Sequence, residues 1–328
     1  MKKDLQQAVS KAFPKILFDE NLKNHCTFNT GGVADMFYYL LDSKELPKLV
    51  NFAKKYKLPY FLFGKGSNIL FDDKGFRGLV IKNECSNIEI KRNDVQADAG
   101  VAISNLVKET VKKGLSPMEK WTGLPGTVGG AVYGNAGSNG LQTKDILDSA
   151  EIFDTKTGKI KKVKNKYFNF QYRSSILKKT GEVLISATFK LTRSKKTEEQ
   201  TKKEQKKLIK ERLQKQPFGL SSGCFFRNPS GEHPAGYLIE KANLKGKKIG
   251  KAQISDKHAN FILNLGGAKS SDIIKLATLI QTTVKTKFKV KLEPEVQILG
   301  EKKLIKIGFK GLQGGYNICY NYINKINN

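Results

Sequence analysis

The stretch Trp121-Thr122-Gly123-Leu124-Pro125-Gly126-Thr127-Val128-Gly129-Gly130-Ala131-Val132-Tyr133-Gly134-Asn135-Ala136-Gly137-Ser138-Asn139-Gly140 decides how this chain is read. It packs seven glycines into a protein otherwise thick with lysine. Glycine loses more conformational freedom on folding than any other residue, so it gathers where the backbone must be approached closely or φ must turn positive. A flexible linker would alternate glycine with serine or charge. Here Leu124, Val128, Ala131, Val132 and Tyr133 are interleaved instead, which predicts an ordered, buried loop. Bared main-chain amides of this kind suit a diphosphate.

A second glycine turn lies upstream. A short aromatic strand at 59–63 runs into Gly64-Lys65-Gly66-Ser67-Asn68, the arrangement of a phosphate nest. The full dinucleotide fingerprint is absent, because Asn68, Ile69 and Leu70 follow where a helix-opening third glycine is needed. Around the two turns, hydrophobic periodicity predicts strands at 34–41, 79–81, 88–90, 95–97, 150–153 and 183–191. It predicts helices at 44–56, 235–242, 271–287 and 104–113, the last capped by Ser104 and stopped by Gly114. Residues 193–215 are almost wholly charged, with Glu198–Lys202 and Glu199–Lys203 spaced i, i+4, and predict an exposed helix at a domain boundary. A strand at 292–299 puts Glu293, Glu295 and Gln297 on one face, and Pro294 implies an edge.

At 328 residues the chain exceeds one comfortable core, so two or three domains are expected. The net charge of +29 taken alone suggests nucleic acid or an anionic surface. Only six arginines occur among the 59 basic residues, however, and lysine is spread from Lys2 to Lys325. Readers of nucleic acid lean on the arginine fork, so the charge reads as a solvated lysine-rich surface and no nucleic-acid partner is expected. Cys26, Cys85, Cys224 and Cys319 form no C-x-x-C pair, which argues against a metal site and a disulfide framework. The N-terminus lacks a signal-peptide core. No run approaches the roughly 20 apolar residues of a membrane span, and a cytoplasmic protein with no membrane partner is expected.

Six motifs, read in order, carry a resemblance. They are T-F-N-T-G-G at 27–32, G-K-G-S-N-I-L at 64–70, G-L-P-G-T-V-G-G-A-V at 123–132, Y-R-S-S at 172–175, S-S-G-C-F-F-R-N-P at 221–229 and L-E-P-E-V at 292–296. Together they resemble the UDP-N-acetylenolpyruvoylglucosamine reductases, the MurB family. The resemblance implies an α+β protein with the FAD-binding vanillyl-alcohol-oxidase (PCMH-type) fold. Two α+β subdomains at 1–82 and 83–205 would bind FAD, an α+β domain at 206–302 would bind substrate, and a tail at 303–328 would return to the first subdomain. It implies a monomeric flavoenzyme of peptidoglycan precursor synthesis acting on small molecules, with bound FAD and NADPH as co-substrate. Its reaction would be reduction of UDP-N-acetylglucosamine enolpyruvate to UDP-N-acetylmuramate.

By the same resemblance the catalytic residues are Arg173, Cys224 and Glu295. FAD would be held by Gly64, Lys65, Gly66, Ser67 and Asn68. The long stretch would add Gly123, Pro125, Gly126, Thr127, Gly129 and Gly130, with Asn135, Gly137 and Arg173 also touching the cofactor. Substrate would meet Tyr172, Arg227 and Asn228. No metal is implied. Two departures stand out: Cys224 replaces the family's usual serine, and Gln297 stands where relatives often carry arginine. His25 and His258 are read as structural.

The chemistry supports such a set. Hydride addition to the methylene carbon of an enolpyruvyl ether leaves negative charge spread over the adjacent carbon and the carboxylate. An arginine can grip that carboxylate bidentately as the charge builds, and Glu295 can orient it. A general acid must then protonate the carbon. A free thiol, with a pKa of about 8.5, is mostly protonated near neutral pH and can donate directly. Two other readings compete: a different FAD-dependent oxidoreductase on the same scaffold, and a basic nucleic-acid-binding protein.

Overall fold

A computed structural model of the chain describes residues 3–305. The expected tail therefore lies outside the described residues from 306 onward, as does Cys319. The described residues divide into two compact units, one of 3–37, 66–80 and 213–305, the other of 38–65 and 81–212.

The second unit contains the glycine-rich stretch. Its centre is a five-stranded antiparallel sheet in the order Lys159–Lys164, Leu147–Asp154, Val183–Lys190, Asp94–Asp98, Ile88–Lys91. The Asp94–Asp98 strand alternates, burying Val95 and Ala97 while Asp94 and Gln96 face solvent. The helix Ile103–Lys112 buries Ile103, Leu106, Val107 and Thr110, one apolar stripe at i, i+3, i+4 and i+7. Its cap position is Ala102, and Ser104 sits inside the first turn. The reason is that Ile103 N donates to Gly126 O at 3.1 Å, so the glycine stretch fixes where the helix begins. Gly114 ends it in the left-handed region, φ 66°, as predicted.

The glycine stretch is ordered, as expected, but it is not all loop. Val128–Gly134 is a helix capped by Thr127, whose side chain accepts from Gly130 N, and Asn135 closes it at φ 44°. Glycine lowers helix propensity by about 1 kcal/mol per residue, which hid this helix in the sequence. The buried trio Val128, Ala131 and Val132 was its signal. Trp121 anchors the stretch from below: it is fully buried and donates from Nε1 to Leu141 O at 3.2 Å. The charged helix, Glu198–Lys215, carries the expected Glu198–Lys202 pair at 2.6 Å. It is not wholly exposed, because Thr201 is buried and Gln205 Nε2 donates to Thr122 Oγ1 at 3.0 Å.

The first unit packs the helices Ala235–Lys241 and Ser270–Phe288 with a three-stranded antiparallel sheet, Lys248–Ile249, Ala252–Ile254 and Ile262–Asn264. Ile273, Leu276, Ile280 and Val284 from the long helix meet Phe225, Phe226, Ile254 and Ile262 in one core. The strand expected at 292–299 is regular only at Gln297–Leu299, which runs parallel to Ile69–Phe71. Pro294 interrupts the ladder upstream and leaves an isolated bridge to Phe226. The alternation persists regardless, with Leu292, Val296 and Ile298 buried.

The long helix borrows its cap from 197 residues away: Asp73 accepts from Ser270 N at 2.8 Å and from Ser271 N at 3.2 Å, while Asp73 N donates to Ser270 Oγ at 2.9 Å. Replacing a cap carboxylate with alanine typically costs about 1 kcal/mol. Asp73→Ala is therefore expected to lower the stability of the protein by about that amount in a denaturant titration. An unchanged midpoint and slope would show that these bonds contribute nothing.

Candidate active site

The predicted residues form two constellations, one in each unit. In the unit of the glycine stretch, Tyr172 and Arg173 sit at the tip of a tight turn closed by Gln171 and Ser174, which exchange backbone bonds of 3.0 and 3.1 Å. Arg173 has φ 54°, a conformation a bulky L-residue adopts only when its surroundings impose it. Those surroundings can be named. Asn135 donates from Nδ2 to Gln171 O at 3.1 Å, Ser175 Oγ donates to Tyr133 O at 2.9 Å, and Lys178 Nζ donates to Arg173 O at 2.7 Å. The guanidinium lies 5.8 Å from the centre of the half-exposed Tyr172 ring, close enough for a cation–π contact. The Y-R-S-S turn is thus tied to the end of the Val128–Gly134 helix.

Asn135 is among the residues expected at the cofactor. Its carboxamide also donates to Gln142 Oε1 and accepts from Lys144 N, each at 3.1 Å. The amides at the start of the Val128–Gly134 helix are likewise occupied. Val128 N donates to Val101 O at 2.9 Å, Gly129 N to Ala99 O at 2.8 Å, and Gly130 N to Thr127 Oγ1 at 3.3 Å. Several glycines serve close packing: a Cβ at Gly64 would collide with the Thr127 side chain, and one at Gly129 would press on Ala99. Gly134 faces open space, and Gly123 and Gly126 have φ of 79° and 107°. Pro125 and Gly137 complete the stretch, Gly137 in a short hairpin with Gln142.

The turn at 64–68 is different. Its backbone amides donate to no described residue, and Gly66 has φ 64° with its Cα against His25 O and Cys26. Successive unbonded amides around a left-handed glycine are the geometry of an anion nest. They fit the diphosphate of a dinucleotide cofactor such as FAD. Gly64 and Lys65 belong to one unit, and Gly66, Ser67 and Asn68 to the other.

In the first unit the reactive segment is extended but belongs to no regular strand. Leu220 and Cys224 bridge Asn264 and Phe261 on one side, and Phe226 bridges Pro294 on the other. Asn260, 2% exposed, supplies the missing ladder. Its Oδ1 accepts from Phe226 N at 2.9 Å, its Nδ2 donates to Phe226 O at 2.8 Å, and its own carbonyl accepts from Phe225 N at 2.7 Å. Opposite, Arg227 N donates to Glu293 O at 2.9 Å and Glu295 N to Phe225 O at 2.8 Å. Asn68 then joins the cofactor turn to this segment. Its Nδ2 donates to Glu295 O at 3.1 Å and its carbonyl accepts from Gln297 N at 3.0 Å.

Cys224, Arg227, Glu295 and Asn68 are therefore positioned by one hydrogen-bonded lattice. Asn228 lies beside it, with Oδ1 accepting from Ala235 N at 3.1 Å. Sequence reasoning missed Asn260. Its only signal was a lone polar residue between Ala259 and Phe261.

Cys85 is inert by contrast: burial, with repulsion from Asp98 and Asp42, pushes its thiol up to about 12. Burial likewise raises Cys26. His25 is structural as expected, bonded to Glu20 at 2.8 Å and stacked on Phe37.

His258 borders the lattice. Its Nδ1 accepts from Asn260 N at 3.2 Å and its ring packs against Phe261. Burial lowers its pKa from the ordinary 6.5, with Lys245 adding to the shift and Glu240 opposing it. A depressed histidine favours the neutral folded form, so its contribution is full above pH 6.5 and is lost as pH falls toward the folded value. The melting temperature should accordingly fall less on acidification in His258→Gln than in wild type. Parallel curves would remove His258 from the acid response.

A family model described as an FAD binding domain matches residues 34–164. A second, described as the C-terminal domain of UDP-N-acetylenolpyruvoylglucosamine reductase, matches 214–299. The curated UDP-N-acetylenolpyruvoylglucosamine reductase of Protochlamydia amoebophila is 42% identical over 278 residues, which cover 84% of this chain and 91% of the relative. That of Chlamydia muridarum is 40% identical over 294 residues, covering 89% and 97%. Among solved structures, the crystal structure of UDP-N-acetylenolpyruvylglucosamine reductase (MurB) from Thermus caldophilus is similar at a TM-score of 0.73 and 31% identity, covering 86% of this chain and 97% of that one.

Proposed function

This chain belongs to the UDP-N-acetylenolpyruvoylglucosamine reductase family of FAD-dependent oxidoreductases, and we propose that it uses NADPH as reductant and Cys224 as the proton donor to substrate. The reaction is the reduction of UDP-N-acetylglucosamine enolpyruvate to UDP-N-acetylmuramate. FAD, when bound, supplies the hydride chemistry.

The unbonded amides of residues 64–68 would hold its diphosphate, and the surface of 123–130 would border the cofactor. Arg173 grips the enolpyruvyl carboxylate with both guanidinium nitrogens, a hold that tightens as charge develops there. Glu295 orients the same group. Cys224 Sγ gives its proton to the carbon beside the carboxylate, with direction set by the bonds that fix Phe225 and Phe226. Tyr172, Arg227 and Asn228 contact the nucleotide sugar.

The observation that supports this reading is the lattice in which Asn68 bonds Glu295, Glu295 bonds Phe225, and Phe225 and Phe226 bond Asn260, because it ties the turn at 64–68 to the segment that carries Cys224. We assign FAD binding to 1–82 and 83–205 and substrate binding to 206–302. We further infer a cytoplasmic monomer that acts on small molecules and not on nucleic acid. Among the described residues no helix is long and apolar enough to cross a membrane.

The test separates the two halves of the reaction. In Cys224→Ala, bleaching of the flavin absorbance by NADPH should keep its wild-type rate. Recovery of that absorbance with the enolpyruvyl nucleotide should slow by about 100-fold or more, the usual contribution of a general acid. Equal rates in both halves would remove Cys224 from the proton transfer. A colourless protein that takes up no FAD would overturn the reading as a whole.

A further inference from the structure

The segment around Cys224 carries two donors that no described residue uses. Ser222 Oγ and Arg227 Nε are both shut off from solvent, and neither has a hydrogen-bond partner among the described residues. Buried polar atoms in folded proteins are nearly always bonded, so each orphan calls for an explanation. The neighbouring serine is not in this condition, because Ser221 Oγ accepts from Gly223 N at 3.5 Å. Between Ser222 and Cys224, Gly223 has φ 81°, and nothing lies within 4 Å of where its side chain would be. Open space therefore borders the backbone between an unused hydroxyl and the thiol.

We infer that Ser222 Oγ donates a hydrogen bond to the enolpyruvyl carboxylate of the substrate, as a positioning contact in addition to the arginine and glutamate. This rests on the reductase reading above. Gly223 alone separates Ser222 from Cys224, so their backbones lie at most about 7 Å apart, and a group held by Ser222 and the atom addressed by Cys224 are near neighbours in the substrate. The carbon that takes the proton carries the carboxylate directly. A hydroxyl can serve that anion as a donor, and a charged acceptor strengthens the bond. Arg227 Nε is in the same unsatisfied state farther along the segment, so a ligand rich in acceptors satisfies both.

The inference makes opposite predictions for the free and the substrate-bound protein. Removing a hydroxyl that has no partner should not destabilise the FAD-loaded enzyme, whereas removing one that the substrate satisfies should weaken the complex. For Ser222→Ala, the melting temperature without substrate should equal or exceed that of wild type. The upward shift produced by UDP-N-acetylglucosamine enolpyruvate should shrink, and KM should rise about tenfold with kcat changing less. The shift produced by UDP-N-acetylglucosamine, which lacks the enolpyruvyl group, should be unchanged.

An unaltered shift and KM with the enolpyruvyl nucleotide would overturn the inference. So would a lowered melting temperature of the substrate-free variant, since the hydroxyl would then serve the fold. Equal loss with both nucleotides would overturn the assignment to the carboxylate. If the wild-type enzyme shows no shift with the enolpyruvyl nucleotide, the reductase reading fails first, and the two failures are distinguishable.

Discussion

Asn260 reads the backbone of Phe226 with both ends of its carboxamide, and the reactive segment depends on that exchange. Residues 221–228 contain no regular strand, yet Phe225 and Phe226 are buried to 1% exposure or less. Buried backbone amides must be bonded somewhere. Here the partners are the side chain and carbonyl of Asn260 on one side and Glu293 and Glu295 on the other. The two phenylalanines sink into the core and fix the segment's depth, while the hydrogen bonds fix its register. Cys224 and Arg227 flank this pinned pair, so a side-chain amide replaces the missing ladder and fixes the backbone between them.

The glycines acquire a divided role. The sequence reading took them as one surface bared for a phosphate. In the folded chain Gly64 and Gly129 are small because other protein atoms press on them, and the first amides of the Val128–Gly134 helix are spent on Ala99, Val101 and Thr127. The amides at 64–68 and the open faces of Gly134 and Gly140 are not used in this way. Asn135 follows the same logic, holding the turn that forces Arg173 into its left-handed conformation. The stretch shapes its surroundings as much as it presents a bare surface.

Much of this was legible beforehand, for physical reasons. Period-two and period-3.6 patterns placed the Val183–Lys190 strand and the Ser270–Phe288 helix within a residue or two, because each buries one face. The motifs singled out the 221–229 and 292–296 segments, which backbone bonds between Phe225 and Glu295 and between Arg227 and Glu293 join in the fold. Hidden were features that depend on contacts distant in sequence: Asp73 capping a helix 197 residues away, Asn260 acting as a strand, and Gln205 reaching Thr122 from a helix that reads as solvated. The Val128–Gly134 helix was hidden by a local conflict, as glycine's poor propensity outweighed a short apolar triplet that tertiary burial then rewarded.

The central claim is that an irregular segment behaves as a rigid strand because Asn260, Glu293 and Glu295 satisfy its backbone. Amide hydrogen exchange on the wild-type protein tests this most directly. The amides of Phe225, Phe226 and Arg227 should exchange as slowly as those of the regular Ile262–Asn264 strand, and far more slowly than the exposed residues 230–233 that follow. Exchange of Phe225, Phe226 and Arg227 at the rate of that exposed loop would contradict the account.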